Sequence, residues 1–454
     1  MRGARSLIAL LVIAAGLGAY IYFVESKRDV TDPALKREKV FTVEAGKIEE
    51  VTVRAAMGDV TTLKKSGEKW QVVSPVTTAA DEAAVSSLVS TLETLEMNKS
   101  LGDQTKPKDF GLDPPRYSVS FKTAGDSAEH KLIVGTKTPA GSDVYAQVAG
   151  QPELFLMSGY LDNNLDRSTF DLRDKAVLTF ARDDVDAITL QPAGAPAISI
   201  AKKDVDWYMS APVSARLDPM TIDTLLSRAG TTQAKSIVAG DAAPPTAEEL
   251  KKYGLDKPQL IVTVGAGSNR ASLAIGGKKD DGTLYARDLS KPLVYTIEAT
   301  ALTDLDKKPE DLRIRDVFDF KPFNVLSFDI TQGGITYSFS KSKPAGGDAN
   351  AADVWKQTKP DAKDANQTAM TDLLNTVSSL RAESFASRPL ASDEDVVVVA
   401  RFGDETKPTE EHVTLRKSGS TAQAIKAGAA DAAVIPVADF DKTVAQLKAL
   451  TGAK

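Results

Sequence analysis

Each of the three tryptophans in this chain is followed five positions later by a proline: Trp70 and Pro75, Trp207 and Pro212, Trp355 and Pro360. Six residues beyond each proline stands Asp81, Asp218 or Asn366, residue types whose side chains accept hydrogen bonds from the free N–H groups of a helix's first turn. Pro219 follows Asp218 at the first helical position, where a proline costs nothing. Apolar residues then recur at spacings of three and four, as Val85, Leu88, Leu92 and Leu95 in the first copy and Met370, Leu373, Val377 and Leu380 in the third. That spacing marks one buried helix face. The second copy reads Ile222, Leu225, Ala229, Thr232, which predicts a helix that fades sooner. A tandem repeat of this kind excludes a single large core and calls for successive lobes, as a length of 454 residues also does.

Upstream of each tryptophan the pattern turns to alternation. Val51 and Val53, Val60 to Leu63, and Trp70 with Val72 predict a three-strand meander, with Gly58 and Gly67 near the turns. Val51 and Ile188 are 137 positions apart, as are Trp70 and Trp207. In the third copy the stretch SKSKPAGGDANAAD adds eight residues, which lengthens a hairpin without breaking the repeat. After the helix, the first two copies write Gly-Leu-Asp-x-Pro, at Gly111–Leu112 and at Gly254–Leu255. Glycine supplies a positive φ, leucine a core plug, and the later proline an extended restart, so this is expected to be a structural connector into a strand. The third copy lacks it. DLRDKAVLTF and DLRIRDVFDF then place Arg173 and Arg313 at matching positions. They are expected to form structural ion pairs with Asp171 and Asp311 or with a neighbouring module.

The fold expected is α+β: an N-terminal transmembrane helix at 1–24, a charged tether at 25–38, and three tandem β-rich modules at 39–177, 178–320 and 321–454. Each module would be an antiparallel meander plus one main helix, the third one shortened and divergent. The anchor is read from residues 7–24, which carry no charge and as a helix would span about 27 Å. Leu7, Ile8, Leu10, Leu11 and Ile13 form its apolar body, and Tyr20, Tyr22 and Phe23 sit where an aromatic belt meets the headgroups. Arg2 and Arg5 favour a cytoplasmic N-terminus, although Lys27 and Arg28 oppose them. A cleaved signal peptide is the rival reading; Leu17 and the following aromatics fit its cleavage site poorly. The bulk of the chain is thus expected in the periplasm, attached to the inner membrane.

A formal charge of −6 and the lack of a basic cluster beyond the N-terminus argue against a nucleic-acid partner. The chain has no cysteine, which removes thiolate nucleophiles and cysteine-based metal sites. Its two histidines, His130 and His412, fall in stretches that read as solvent-facing strands. There is no Walker loop and no Gly-x-Ser-x-Gly; the Gly-x-Gly in VGAGSNRASLAIGG leads into alternation instead of a helix, and KKDDG reads as a hairpin turn. No catalytic, metal or cofactor residue is assigned, and no cofactor is expected.

The order of membrane segment, Trp-x4-Pro, helix cap, helix and Gly-Leu-Asp-x-Pro resembles the bacterial domain-of-unknown-function family 4340. Trp70, Pro75, Phe110 to Pro114, Trp207, Pro212 and Tyr253 to Pro258 carry the likeness. Members are commonly encoded beside gliding-type ABC transport systems. The resemblance implies an exported accessory subunit, a non-enzymatic scaffold or adaptor whose partners are an ABC permease or other envelope proteins. The alternative expectation is an extracytoplasmic receptor capturing a sugar or peptide for an ABC importer.

Overall fold

A computed structural model describes residues 38–452 except 105, 127, 140, 344–352, 388, 392–393 and 430. The predicted membrane segment and all of the tether but Glu38 lie outside the described residues. Among those described, no helix is long and apolar enough to cross a membrane. The chain divides into two compact units: Met1–Val177 with Gln233–Thr246 and Pro292–Ile297, and Leu178–Thr232 with Ala247–Lys291 and Glu298–Lys454.

The described chain builds three nine-stranded antiparallel sheets with one strand order. The first comprises β1 (Ile48–Arg54), β2 (Val60–Ser66), β3 (Lys69–Ser74), β4 (Thr78–Ala79), β5 (Lys99–Asp103), β6 (Tyr117–Thr123), β7 (His130–Lys137), β8 (Asp143–Val148) and β9 (Glu153–Ser158). They lie side by side as β4-β3-β2-β1-β6-β7-β8-β9-β5. The meander β1 to β4 runs outward to one edge. Helix α1 (Glu82–Thr94) carries the chain to the opposite edge, where β5 pairs with β9, and the chain returns to the centre as β6 beside β1. In the second sheet the corresponding helix is α2 (Pro219–Thr231), and in the third α3 (Gln367–Ser378). The alternation predicted this meander, but the two-residue β4 and its counterparts Ala215–Arg216 and Lys363–Asp364 are additional strands.

The capping prediction holds at all three helices. Asp81, Asp218 and Asn366 accept from the backbone N–H groups of Ala84, Thr221 and Ala369 at 3.0, 3.1 and 3.1 Å. The predicted faces are buried, and α2 does not fade: it is as long as α1, and Ile222, Leu225, Ala229 and Thr232 are all buried. Thr232 can close a buried face because its hydroxyl donates to the carbonyl of Arg228 at 2.7 Å.

Asp81 carries a second partner, the Lys175 ammonium at 2.9 Å. Burial alone would raise its pKa, but that ion pair and the cap hydrogen bond outweigh it and hold the carboxyl below its ordinary value. A pKa lowered by folding means that the carboxylate's contribution is fully present above the unfolded value of about 4 and is lost as pH falls through the lower folded value. Asparagine still caps a helix. The stability advantage of the wild type over Asp81→Asn should therefore shrink as pH drops below about 4 in a melting series, whereas Asp81→Ala should cost about 1–2 kcal/mol at pH 7.

Gly-Leu-Asp-x-Pro proves to be a helix stop. Gly111 and Gly254 have φ of 67° and 66°. The N–H of Leu112 donates to the carbonyl of Pro107 and that of Leu255 to Leu250, while each glycine N–H closes the smaller ring on Lys108 or Lys251. This is the Schellman arrangement, and its apolar residue after the glycine is buried in both copies. A Cβ at Gly254 would lie 2.8 Å from the backbone nitrogen of Gly277, whereas one at Gly111 would first meet a Thr136 methyl group. A side chain can turn away and a strand backbone cannot. Gly254→Ala should accordingly cost about 2 kcal/mol or more, and exceed Gly111→Ala in the same melting assay.

One boundary and one expected feature differ from the sequence reading. Glu38, assigned to the tether, accepts the N–H of Met97 through its carbonyl, so the folded part begins no later than this residue. The third sheet has all nine strands. It lacks the Gly-Leu-Asp connector, and it also carries a long hairpin, Glu394–Asp404 with Lys407–Ser418, and a terminal helix α4 (Val437–Thr451).

Candidate functional site

The repeat residues serve packing. Trp70, Trp207 and Trp355 are each at most 7% exposed, and the prolines that follow them, Pro75, Pro212 and Pro360, all have cis peptide bonds. A lysine faces each tryptophan across the sheet: Lys65, Lys202 and Lys341. The ammonium of Lys202 stands 5.8 Å from the Trp207 ring centre and that of Lys341 5.3 Å from Trp355. Lys341 also donates to the Phe323 carbonyl at 3.0 Å; burial pushes its ammonium below the ordinary lysine range. The backbone N–H groups of Trp70 and Trp355 donate to Glu82 and Gln367, the first residues of their helices, both at 2.8 Å. At the same place α2 begins with Pro219. His130 and His412 lie on strands with half-exposed side chains, His412 beside Glu410 and His130 stacked on Phe121.

Arg173 and Arg313 do not pair with Asp171 and Asp311. Those aspartates cap short helical turns, Asp171 accepting from the N–H of Ser168 and Asp311 from that of Lys308. The arginines instead leave the ends of those turns and engage aspartates far along the chain. Arg173, 6% exposed, donates through Nη1 to both carboxylate oxygens of Asp241 at 2.8 Å. Arg313 binds Asp431, and its guanidinium lies 3.5 Å from the centre of the Phe385 ring. Asp241 follows the edge strand Ser236–Ala239 of the second sheet, and Asp431 precedes Ala432–Ile435 of the third. Each arginine thus latches the segment trailing one sheet to the edge pair of the next.

Around the second latch, within one compact unit, lies a cavity of about 320 Å³. Arg313, Phe385 and Asp431 form part of its lining, with Arg216, Asp319 and Lys426 also present. Arg216 binds Asp206 at 3.0 Å and Asp319 at 3.3 Å; burial works against its charge, but these carboxylates hold its pKa above the ordinary value. Lys426 binds Glu411 at 2.7 Å and Asp319 at 3.5 Å. Glu411, almost fully buried, also accepts the N–H of Asp319. Such a lining can hold a ligand by charge and shape. Among the described residues no group of three or more acidic or histidine side chains could hold a metal ion.

The partners Asp241, Asp431 and Phe385 escaped the sequence reading. The arginines were legible as a matched pair, but 68 residues separate Arg173 from Asp241 and 118 separate Arg313 from Asp431. No spacing rule joins such positions.

No curated protein and no solved structure matches the chain. The profile of the domain of unknown function DUF4340 matches it twice, over residues 70–245 and 207–398. Each match opens on a repeat tryptophan and crosses from one sheet into the next; the first contains both Arg173 and Asp241, whereas the second contains Arg313 and ends before Asp431. Since the matches together cover well over half of the residues, the chain belongs to the DUF4340 family.

Proposed function

We propose that this protein is a non-enzymatic scaffold or adaptor of the cell envelope, anchored in the inner membrane by residues 7–24 and accessory to an ABC-type transport system. The observation that carries the reading is one sheet framework built three times, with its distinctive residues spent on cores, caps and latches. Repetition of this kind multiplies surfaces for partners. Held at a membrane, the array would raise the effective concentration of whatever it binds beside a transporter.

Crosslinking in intact membranes, followed by purification, should recover a permease or another envelope protein; recovery of the monomer alone would remove the basis for an adaptor. Deleting residues 1–37 should move the protein from the membrane to the soluble fraction, and retention in the membrane fraction would refute the anchor. A second reading, a ligand receptor for an ABC importer, is favoured by one observation: the cavity beside Arg313, lined by an aromatic residue outside the tryptophan positions.

A further inference from the structure

We infer that the cavity beside the Arg313–Asp431 latch binds a small molecule bearing an oxyanion, its charged end on Arg315 and its body against a wall of small side chains. The inference deepens the receptor reading and rests on it; the scaffold reading stands or falls separately.

The cavity owes its space to local composition. In the second sheet, Ile237 pairs with Tyr295, a buried ring. The corresponding pair in the third sheet is Phe385 with Ala433, a correspondence set by matching hydrogen bonds, Lys235 N–H to the Thr296 carbonyl and Glu383 N–H to that of Val434. The ring has changed strands, and an alanine stands where a tyrosine fills the other sheet. Ala424, Ala427, Gly428 and Ala429 continue this wall. At about 320 Å³ the space is at the small end of ligand sites.

Its charge pattern points to an anion. Four cations line the cavity, Arg216, Arg313, Arg315 and Lys426, against three carboxylates, Asp316, Asp319 and Asp431. Each carboxylate is engaged: Asp431 by Arg313, Asp319 by Arg216 and Lys426, and Asp316 by Arg381 at 3.1 Å. Asp206 and Glu411 further neutralise Arg216 and Lys426. Arg315 is different. It is exposed, and among the described residues it pairs with no carboxylate, its one side-chain hydrogen bond being to the Glu383 carbonyl at 3.3 Å. A guanidinium with free N–H groups offers a planar fork that fits a carboxylate or a phosphate. Arg313 is already engaged by Asp431 and stacked on Phe385, so Arg315 is the residue that would take the ligand's charge.

The test is calorimetric titration of the full chain with glutarate, inorganic phosphate and uncharged glutaramide. At least one anion should bind, and glutaramide should not. Arg315→Gln, a change at an exposed position, should weaken binding tenfold or more, and Ala433→Tyr, which refills the space as Tyr295 does, should abolish it. Binding of glutarate alone would identify a carboxylate ligand, and of phosphate alone a phosphorylated one. Silence with both anions, or binding unaffected by Arg315→Gln, would overturn the inference. Binding of glutaramide without either anion would overturn it too, while leaving a receptor for neutral ligands in place.

Discussion

Trp70→Ala should destabilise the first sheet by about 3–5 kcal/mol, the usual cost of emptying a buried aromatic position. The ring is 7% exposed and belongs to a core cluster with Leu63, Val72, Val85 and Leu88, drawn from β2, β3 and α1. Removing it leaves a void where strand and helix meet, and neither can close it without giving up a hydrogen bond: the Trp70 N–H holds Glu82 at the start of α1, and its carbonyl accepts from Ala80. Trp355→Ala should cost a similar amount, because Trp355 sits at 6% exposure in the matching cluster with Met370, Leu373 and Val377. Trp70→Phe should cost clearly less, since most of the volume is kept. The chain has more than one compact unit, so scanning calorimetry with resolved transitions is the appropriate measurement. A loss below about 1 kcal/mol for Trp70→Ala would show that the ring is not part of the core.

The second large effect is at the first latch, and it should be asymmetric. Asp241→Ala removes the partner of a guanidinium that is 6% exposed, leaving a buried charge with no counter-ion. Breaking a buried pair this way costs about 3–5 kcal/mol, and since the Asp241 side chain is 42% exposed and partly screened, the expected loss is about 2–3 kcal/mol. Arg173→Met leaves only Asp241, which water can reach, and the methionine side chain refills part of the space of the arginine stem, so about 1 kcal/mol is expected. Added salt should recover little of the loss in Asp241→Ala, because the exposed end alone feels the screening ions. Equal costs for the two substitutions would mean that stranding the Arg173 charge is not what makes Asp241→Ala expensive. The loss should appear in the transition of the unit that holds residues 1–177 and 233–246.

The correspondence between sequence and structure follows the range of the forces involved. Helix caps at Asp81, Asp218 and Asn366 were readable because a cap is satisfied by a backbone group three residues away. The helix faces were readable because their period is 3.6; Gly-Leu-Asp-x-Pro reads only as a turn leading into a strand, because the helices it stops, Pro107–Phe110 and Ala247–Lys252, are too short to show that period. The reading of α2 as a fading helix fails because threonine reads as polar, when a hydroxyl bonded to its own helix can be buried. The missed strands β4, Ala215–Arg216 and Lys363–Asp364 are too short to show alternation at all.

By itself, then, the sequence determined the repeat, the meander of each module, the main helices with their caps, and membership of DUF4340. Each of these rests on contacts between residues close in the chain, or on a pattern written more than once. Only the tertiary structure decided that the strand after each helix goes to the far edge, that Arg173 finds Asp241 and Arg313 finds Asp431, and that Ala433 lines a cavity at the position where the second sheet buries Tyr295. Those outcomes depend on which distant surfaces meet and on the volume left between them, quantities that no local spacing encodes.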